Sequence, residues 1–248
     1  MTESNEKVVL ITGGTRGIGR SVALAFARTG ATVAVSYTSN EAAAAQFAEE
    51  LDALGVRHTE VRADSADPEQ IRSLFAQVKE AFGRIDVVYA NAGIELIDTP
   101  ILETTDAQIE LLLNVNIRGT FHTLKEAAKE VEDGGRIIAT GSTIALNAPS
   151  GASLYSATKG ALRPMVQAVA REVAARGITA NLITPGVVEG AGVIRDLPQE
   201  QIDQYAALNP FGRQARPDDI APVAVFLASP GAAFINGQAI AVDGGSFM

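Results

Sequence analysis

The residues with the clearest chemical potential are Tyr155 and Lys159, in the run Tyr-Ser-Ala-Thr-Lys. Residues four apart share one face of a helix, with Cβ atoms about 6 Å apart. An unperturbed tyrosine has a pKa of ~10, which is too high for efficient proton exchange near neutrality. An ammonium at ~4 Å favours tyrosinate by roughly 4 kcal/mol at an effective dielectric constant near 20. The pair predicts a proton donor and acceptor tuned by a cation, with an exposed helix face as the alternative interpretation.

Composition excludes several other chemistries. The 248-residue chain has no cysteine, which excludes disulfides, thiolate catalysis and cysteine-bound zinc or iron–sulfur clusters. Its two histidines, His58 and His122, are too few for a multi-histidine metal site and disfavour a Ser-His-Asp hydrolase. The formal net charge of −9 argues against binding to nucleic acid or to an anionic membrane. We therefore expect no metal, and chemistry from Ser, Tyr, Lys, Asn, carboxylates or a borrowed cofactor.

Short β-branched runs alternate with longer Ala-rich amphipathic stretches. Nearly all-apolar strands separated by helices are typical of a parallel sheet covered on both faces, and right-handed crossovers make it doubly wound. We predict one α/β domain over residues 1–248, a Rossmann-type doubly wound parallel sheet of seven strands with helices on both faces. The predicted strands are Val8–Ile11, Thr32–Ser36, His58–Arg62, Val87–Tyr89, Arg136–Thr140, Thr179–Ile183 and Ala239–Val242. The predicted helices include Gly19–Arg28, Ala42–Leu54, Glu69–Phe82, Asp106–Val131 and Ser153–Arg176.

Two sequence features bear on location and motion. The polar, acidic N-terminus is unlike a targeting signal, and no apolar run reaches the ~18 residues of a membrane span, so we expect a cytoplasmic protein. Residues 186–209 break the alternation of strands and helices, with three glycines in the first seven positions. Loops after strands carry function in such folds, so this segment is predicted to be a lid with Gly190 and Gly192 as hinges.

A glycine-rich loop over residues 12–19, Thr-Gly-Gly-Thr-Arg-Gly-Ile-Gly, joins the first strand to the first helix. Gly13 allows the tight turn, Gly17 lets the backbone approach a phosphate, and Gly19 permits close helix–strand packing. The helix N-terminus offers free N–H groups and a partial positive charge to a pyrophosphate. No Gly-Lys-Ser or Gly-Lys-Thr ending follows, which disfavours a P-loop nucleoside triphosphatase. The loop therefore predicts a dinucleotide site, although glycines also mark ordinary turns.

The spacing Gly-x-x-x-Gly-x-Gly resembles the cofactor loop of the short-chain dehydrogenase/reductase family, and further motifs match that family in order and spacing. The resemblance covers Lys7 to Met248 and is close to the 3-oxoacyl-thioester reductases and related carbonyl reductases. It implies a nicotinamide cofactor, hydride transfer and a homotetramer, although apolar helix stripes also fit a core. The matching motifs are Asn91-Ala92-Gly93, Asn116, Ser142, Tyr155 with Lys159, Pro185-Gly186 and Asp243-Gly244-Gly245.

The end of the second strand favours NADP(H). An acidic residue there would hold a ribose 2′-hydroxyl and repel a 2′-phosphate, and Tyr37 stands where NAD-preferring members of the family carry Asp. Thr38 and Ser39 can donate to a phosphate and Arg16 can pair with it, although a solvated surface Arg16 is the alternative. The residues expected to bind the cofactor are Gly13, Thr15, Arg16, Gly17, Ile18, Gly19, Tyr37, Thr38, Ser39, Asp64, Ser65, Asn91, Ala92, Gly93, Tyr155, Lys159, Pro185, Gly186 and Val188.

Four residues are expected to carry catalysis. We infer that Tyr155 donates a proton to a carbonyl oxygen during reduction and accepts one during oxidation, with Ser142 bonded to the same oxygen. The resemblance implies that Lys159 also binds the nicotinamide ribose and that Asn116 holds a water linking Lys159 to solvent. The cofactor supplies the hydride. Ordinary alternatives are a capping Ser142, a turn residue at Asn91 and a satisfied core amide at Asn116.

Two positions depart from the family pattern. Gly190 replaces a Thr that often contacts the nicotinamide amide, so that contact is lost or moved. Pro164 lies inside a predicted helix, where it removes a backbone hydrogen bond and is expected to kink the helix. The neighbouring Gly160 and Ala161 suggest close packing against another helix at this point.

The expected pocket residues are mostly apolar, which favours a small to medium ketone or secondary alcohol with an apolar part over a sugar. They are Ile94, Glu95, Ile144, Leu146, Val187, Val188, Val193 and Ile194. The carboxylate of Glu95 is the exception among them, facing either a polar group or solvent.

Two alternatives stay open. One is a 3-oxoacyl-[acyl-carrier-protein] reductase, which needs a basic landing surface for an acidic carrier. The loop before Arg136 is instead acidic, at Glu130, Glu132 and Asp133, although Arg171 and Arg176 partly restore positive charge. We therefore rank a small-molecule carbonyl reductase first. The other is a non-catalytic NADP-sensing protein, against which the intact catalytic set argues.

Overall fold

Seven parallel strands form one sheet in this computed structural model, which describes residues 7–190 and 199–246. The strands are β1 (Val8–Ile11), β2 (Thr32–Tyr37), β3 (His58–Arg62), β4 (Val87–Ala90), β5 (Arg136–Thr140), β6 (Thr179–Pro185) and β7 (Ala239–Val242). They lie in the order β3-β2-β1-β4-β5-β6-β7. The order reverses between β1 and β4, where doubly wound sheets open a ligand-binding crevice. The predicted Rossmann-type sheet is confirmed.

Helices cover both faces of the sheet. They are α1 (Gly17–Ala27), α2 (Glu41–Ala53), α3 (Pro68–Phe82), α4 (Asp106–Leu112), α5 (Thr120–Glu130), α6 (Ile144–Asn147), α7 (Ser153–Val173), α8 (Gln199–Ala207) and α9 (Pro217–Leu227). Alternation along β1 sends Val9 and Ile11 into the core under α1, α2 and α9, and Val8 and Leu10 into the core under α3, α5 and α7. In the described ranges, no helix is long and apolar enough to span a membrane.

The strand predictions hold closely because the strands are short runs rich in β-branched residues; most are buried, whereas β3 and β7 are only partly buried. β1, β3, β5 and β7 begin and end at the predicted residues, whereas β2, β4 and β6 continue slightly further toward their carboxyl ends. The longest extension carries β6 to Pro185, whose carbonyl oxygen accepts hydrogen bonds from the backbone and hydroxyl of Thr143. These extensions bring the strand ends directly to the loops of the candidate site.

The helix predicted over Asp106–Val131 is interrupted. A π-helical stretch, Leu113–Gly119, separates α4 from α5. At Gly119 an added Cβ would clash with the carbonyl oxygen of Ser65, so the chain passes unusually close to the loop after β3. The prediction of one regular helix is therefore wrong, because the extra residue of the π turn follows from tertiary contacts rather than from local periodicity.

Pro164 does not interrupt its helix. α7 continues through it to Val173, and Pro164 is exposed. Because Pro164 has no N–H, the carbonyl oxygen of Gly160 receives no helical hydrogen bond. Gly160 is exposed, so water can bond to this oxygen instead. Among the described residues, none lies within 4 Å of a Cβ placed at Gly160, so the expected close packing is not found within the chain.

The predicted lid is only partly described. Its residues Gly192, Val193 and Ile194 lie outside the described residues. On the near side Val188 forms an isolated parallel bridge with Ala215, and on the far side the chain continues into α8. The lid stays a prediction.

Candidate active site

The glycine-rich loop has the backbone geometry that its sequence predicts. Gly13 and Gly17 have positive φ angles of 64° and 52°, a region that disfavours side chains. A Cβ at Gly17 would have no described neighbour within 4 Å, so the backbone is open to a ligand there. At Gly19 a Cβ would clash with the Gly13 carbonyl oxygen and lie 2.6 Å from Asn91 Nδ2. Gly19 therefore allows the loop to fold back onto the first turn of α1, rather than the helix to approach a strand.

Asn91 and Thr12 brace this loop from behind. Asn91 Nδ2 donates to the carbonyl oxygens of Thr12 and Gly13, each at 3.1 Å, and its Oδ1 accepts from the Thr140 hydroxyl at 3.2 Å. The Thr12 hydroxyl accepts from the backbone N–H groups of Asn91 and Ala92, each at 3.0 Å. The side chain of Asn91 thus positions the loop. Only the backbone of Asn91 remains available to contact a cofactor.

The N-terminus of α1 is arranged for an anion. Its N-cap residue, Arg16, makes no capping hydrogen bond through its side chain, and no acidic residue occupies the first turn. The first N–H groups of this helix therefore remain available as hydrogen-bond donors and keep their partial positive charge. Thr15 is buried behind the turn, Ile18 is half-buried, and Arg16 is exposed.

The end of β2 presents hydroxyls and a second cation. Tyr37 is half-buried, whereas Thr38 and Ser39 are exposed. Arg62, which is paired in register with Tyr37, donates through Nε to the Thr38 carbonyl oxygen at 3.2 Å and contacts Glu41 at 3.3 Å. The sequence analysis missed Arg62, although the parallel pairing of β2 and β3 places their carboxyl ends side by side.

The catalytic candidates converge at the carboxyl edge of β5. The Tyr155 hydroxyl interacts with Ser142, which follows β5 and lowers the pKa of the phenol, and Lys159 Nζ lies 5.9 Å from the centre of the Tyr155 ring. Lys159 Nζ donates to the Thr140 carbonyl oxygen at 3.0 Å. Tyr155 and Lys159 are each only 6% exposed. The structure therefore brings Ser142, Tyr155 and Lys159 together and rejects the exposed helix face.

The charge environment of the pair differs from the expectation. Burial raises the pKa of Tyr155, and the negative charge of the nearby Glu95 raises it further. The expected lowering by Lys159 is therefore wrong for the protein alone, because the ammonium is held at the Thr140 carbonyl instead of at the phenolic oxygen. Burial lowers the pKa of Lys159 to about 8, which Glu95 opposes.

Asn116 lies in the π-helical stretch and its amide is fully engaged. Oδ1 accepts from the Ile94 N–H at 2.9 Å, and Nδ2 donates to the Ile94 carbonyl at 2.9 Å and to Thr158 Oγ1 at 3.1 Å. A Cβ at Gly93 would lie 3.3 Å from Asn116 Oδ1 and 3.4 Å from Lys159 Nζ. Asn116 thus holds the loop after β4 next to Lys159. The water that Asn116 is expected to bind between Lys159 and solvent stays a prediction.

The remaining predicted cofactor residues line the same edge of the sheet. Asp64 Oδ1 accepts from the Ala66 N–H at 2.9 Å, and Ser65 is buried against Gly119. Gly186 passes so close to Asp243 that a Cβ would lie 2.9 Å from the Asp243 Cβ.

Val188 and Gly190 limit what the loop after β6 can offer. The side chain of Val188 is buried in the core under α1, α2 and α9, which leaves only its backbone for a ligand. Gly190 has a φ of 63°, so the Thr of the family pattern would be strained here.

Several functional positions were missed by the sequence analysis. Thr12, Ser36 and Thr158 each use a hydroxyl to hold a backbone or side-chain group of the site; Ser36, for instance, accepts from the Gly13 N–H at 3.2 Å. Glu95 was noticed only as an exception in the pocket. For Thr12 and Ser36 the available signal was a polar residue directly after, or at the end of, an apolar strand, whereas Thr158, inside α7, and Glu95, five residues after β4, carried no such signal.

Comparisons with known proteins agree with this geometry. The family model described as enoyl-(acyl carrier protein) reductase matches residues 13–246. A versicolorin reductase of Emericella nidulans is 36% identical over 253 residues, covering 97% of this chain and 96% of that protein. The 3-oxoacyl-[acyl-carrier-protein] reductase FabG of Staphylococcus aureus is 34% identical, covering 98% of each. A blue fluorescent protein from a metagenomic library, solved in complex with NADPH, superposes with a TM-score of 0.91 at 37% identity, covering 98% of this chain and 99% of that one. The chain belongs to the short-chain dehydrogenase/reductase family.

Proposed function

We propose that this oxidoreductase transfers a hydride between NADP(H) and a ketone or secondary alcohol, and that its principal substrate is a small to medium carbonyl compound. The observation that carries the proposal is the buried contact of the Tyr155 hydroxyl with Ser142, beside Lys159. A phenol and a hydroxyl converging on one point can bind one carbonyl oxygen together. Reduction is favoured as the assayed direction because relatives of this chain are named reductases.

The residues of the cofactor side fit a phosphorylated dinucleotide. The uncapped N-terminus of α1 and the open backbone at Gly17 form a cradle for the pyrophosphate. Arg16, Thr38 and Ser39 would bind the 2′-phosphate, which an acidic residue at Tyr37 would repel. Asp64 and Ser65 would lie at the adenine, and the loops after β4 and β6, at Asn91-Ala92-Gly93 and at Pro185, Gly186 and Val188, would lie along the nicotinamide half. When bound, NADPH supplies the hydride.

The protein supplies the proton and the placement. Tyr155 donates its phenolic proton to the carbonyl oxygen, while the Ser142 hydroxyl donates to the same oxygen and fixes its position. Lys159 Nζ lies 5.9 Å from the centre of the Tyr155 ring, so its ammonium would offset only part of the charge of the resulting tyrosinate. Lys159 also binds the nicotinamide ribose, and Asn116 keeps the loop of Ile94 in place.

The test is a panel of ketones and secondary alcohols assayed in parallel with NADPH and NADH, followed by absorbance of the reduced cofactor. We expect turnover with NADPH and a several-fold lower kcat/KM with NADH. Tight NADPH binding without turnover on any compound would instead indicate the cofactor-sensing protein, and a preference for NADH would contradict the assignment of the 2′-phosphate site.

A second candidate is reduction of a 3-oxoacyl group on an acyl carrier protein, which the identity to the Staphylococcus aureus enzyme favours. Against it, Arg176 is engaged by Asp133 at 2.7 Å and by two backbone carbonyls, so it adds little to a basic landing surface. Arg171 is exposed, while Glu130 contacts Lys79 and Lys129. Comparing carrier-bound with free β-keto substrate in the same assay separates the two candidates.

The proposed assembly is a homotetramer. Large apolar side chains are exposed on α4, on α5 and just before β7, at Leu111 (53%), Phe121 (53%) and Phe234 (103%). Exposed large apolar side chains that cluster mark contact surfaces, and we expect these to be covered in the assembly. Light scattering of the purified protein tests the proposal, and a mass of one chain would refute it.

A further inference from the structure

Arg62 ends β3 at the carboxyl edge of the sheet, next to the loop that follows β2. The parallel pairing of these two strands places it in register with Tyr37. Its Nε donates to the Thr38 carbonyl oxygen at 3.2 Å, and its Nη1 lies 3.3 Å from a carboxylate oxygen of Glu41, in the first turn of α2. The guanidinium is therefore anchored to the loop after β2 rather than extended into solvent.

The loop after β2 is flanked by cations from both neighbouring strands. The sheet order β3-β2-β1 puts Thr38 and Ser39 between the end of β3 and the glycine-rich loop that follows β1. Arg62 ends the first of these strands, and Arg16 lies in the loop after the second. Because the carboxyl ends of parallel strands meet at one edge of the sheet, an anion bound by the hydroxyls of this loop can be approached by a guanidinium from either side.

The guanidinium of Arg62 keeps donors for a ligand. A guanidinium has five N–H groups, and the contacts with Thr38 and Glu41 engage two of those in Arg62. The Arg62 side chain is 63% exposed, so its remaining donors can be reached from solvent. A planar guanidinium can bind a phosphate through two parallel hydrogen bonds, a geometry that a lysine ammonium does not reproduce.

Glu41 shows that this place favours negative charge. Its carboxylate lies in the first turn of α2, where the helix dipole and Arg62 both stabilise an anion. The side chain is 69% exposed, so it can turn into water at little cost. A phosphate monoester carries a charge of about −1.5 to −2 at pH 7, which exceeds that of one carboxylate. A phosphate at the end of β2 would therefore displace Glu41 from the guanidinium.

We propose that Arg62 determines selectivity for NADP(H) over NAD(H) by binding the 2′-phosphate of the adenosine ribose, and that Glu41 competes with this phosphate for the guanidinium. The inference rests on the proposed site for the 2′-phosphate at the end of β2 and adds a second cation to it. Arg16 and Arg62 then hold the phosphate from two sides. NADH carries a hydroxyl in place of this phosphate and leaves the pair of Arg62 and Glu41 intact.

Two adenosine nucleotides that differ only in this phosphate test the proposal: 2′,5′-ADP and 5′-AMP. Each is titrated by calorimetry into the wild-type protein and into Arg62→Gln, Arg62→Lys and Glu41→Gln. The control for loss of a cation is Arg57→Gln, at an exposed position directly before β3, at the opposite edge of the sheet. The control for loss of a carboxylate is Glu49→Gln, at an exposed position further along α2.

Arg62→Gln should weaken the binding of 2′,5′-ADP by about 5-fold, near the upper end for an ion pair at an exposed position, and leave that of 5′-AMP unchanged. Arg62→Lys should lose less, because it keeps the charge without the paired donors. Glu41→Gln should strengthen the binding of 2′,5′-ADP by about 2- to 5-fold, because the competing carboxylate is gone. Both control variants should bind the two nucleotides as the wild type does.

An equal loss for both nucleotides in Arg62→Gln would overturn the proposal, because it would show that Arg62 only supports the loop through the Thr38 carbonyl. Unchanged binding of 2′,5′-ADP in Arg62→Gln would overturn it as well. So would the absence of a gain in Glu41→Gln, since loss of a merely structural contact cannot strengthen binding and removal of a competitor must.

The binding measurements separate failure of this inference from failure of the proposed function. If no ketone is reduced with NADPH, the proposed reaction fails, while a selective loss of 2′,5′-ADP binding in Arg62→Gln still supports the role of Arg62. If the wild type prefers 2′,5′-ADP to 5′-AMP and Arg62→Gln keeps that preference in full, the proposed use of NADP(H) stands and the inference is overturned.

Discussion

The two sides of the crevice use polar side chains in different ways. On the cofactor side Thr12, Ser36 and Asn91 bond to backbone groups and hold the glycine-rich loop, so the surface offered to a ligand is mainly backbone. On the catalytic side Tyr155 and Lys159 are buried and interact with side chains and with the charge of Glu95. Ligand binding on the cofactor side therefore depends on glycines, which lack a Cβ atom. Activity on the catalytic side depends on the protonation states of a few side chains.

Removing the phenolic oxygen should have the largest effect and should be confined to the catalytic side. We expect Tyr155→Phe to lower kcat by about 10²- to 10⁴-fold, the usual contribution of a positioned acid. The dissociation constant for NADPH, measured by fluorescence, should change less than ~3-fold, well under the 1.4 kcal/mol of a tenfold change. Retained turnover would contradict the role of Tyr155 in proton transfer.

Adding one methyl group on the cofactor side should damage binding instead. Gly19→Ala places a Cβ against the Gly13 carbonyl and Asn91, so we expect a loss of about 1–3 kcal/mol in the free energy of unfolding. NADPH affinity should fall by more than ~10-fold, since the loop must move. The matched control is Gly160→Ala, also in a helix but with open space, where we expect a gain of about 0.5–1 kcal/mol. If Gly19→Ala binds NADPH normally, the close approach is not required.

Measuring the dissociation constant for NADPH as a function of pH tests whether the charge of Lys159 contributes to cofactor binding. The pKa of Lys159 is lowered to about 8, so the ammonium is present below this pH and lost above it. The dissociation constant for NADPH should rise by up to ~10-fold per pH unit above 8 if Lys159 binds the ribose. In Lys159→Arg the inflection should disappear, because the pKa of arginine exceeds ~12. In Glu95→Gln it should move to lower pH, because Glu95 raises the pKa of Lys159. An inflection unchanged in Lys159→Arg would assign it to another group.

Arg16 should give the smallest effect, limited to the phosphate that distinguishes the two cofactors. Its side chain is exposed, so we expect Arg16→Gln to weaken NADPH binding by about 3- to 10-fold, near 1 kcal/mol, and to leave NADH binding unchanged. Arg28→Gln, exposed at the other end of α1, is the control for net charge. Equal weakening of NADPH and NADH would place Arg16 away from the 2′-phosphate.

The sequence predicted best what local pattern controls. Strand bounds followed from short runs rich in β-branched residues, and the positive φ angles at Gly13 and Gly17 followed from the loop motif. The π-helical stretch was not predictable, because it depends on the approach of Gly119 to Ser65 across the fold. The direction of the pKa change at Tyr155 was wrong for the same reason. It depends on burial and on Glu95, which is 60 residues away in the chain.

The hydrogen bonds from Thr12 through Asn91 to Thr140 join the carboxyl ends of β1, β4 and β5. Ser142 lies two residues beyond Thr140, so the loop that would hold a dinucleotide and the strand that leads to the proposed catalytic hydroxyl of Ser142 share one network. We expect such a hydrogen-bonded edge to open as one unit in native-state fluctuations. A ligand bound at the glycine-rich loop would then also protect the backbone amides near Ser142 from solvent exchange, without touching them.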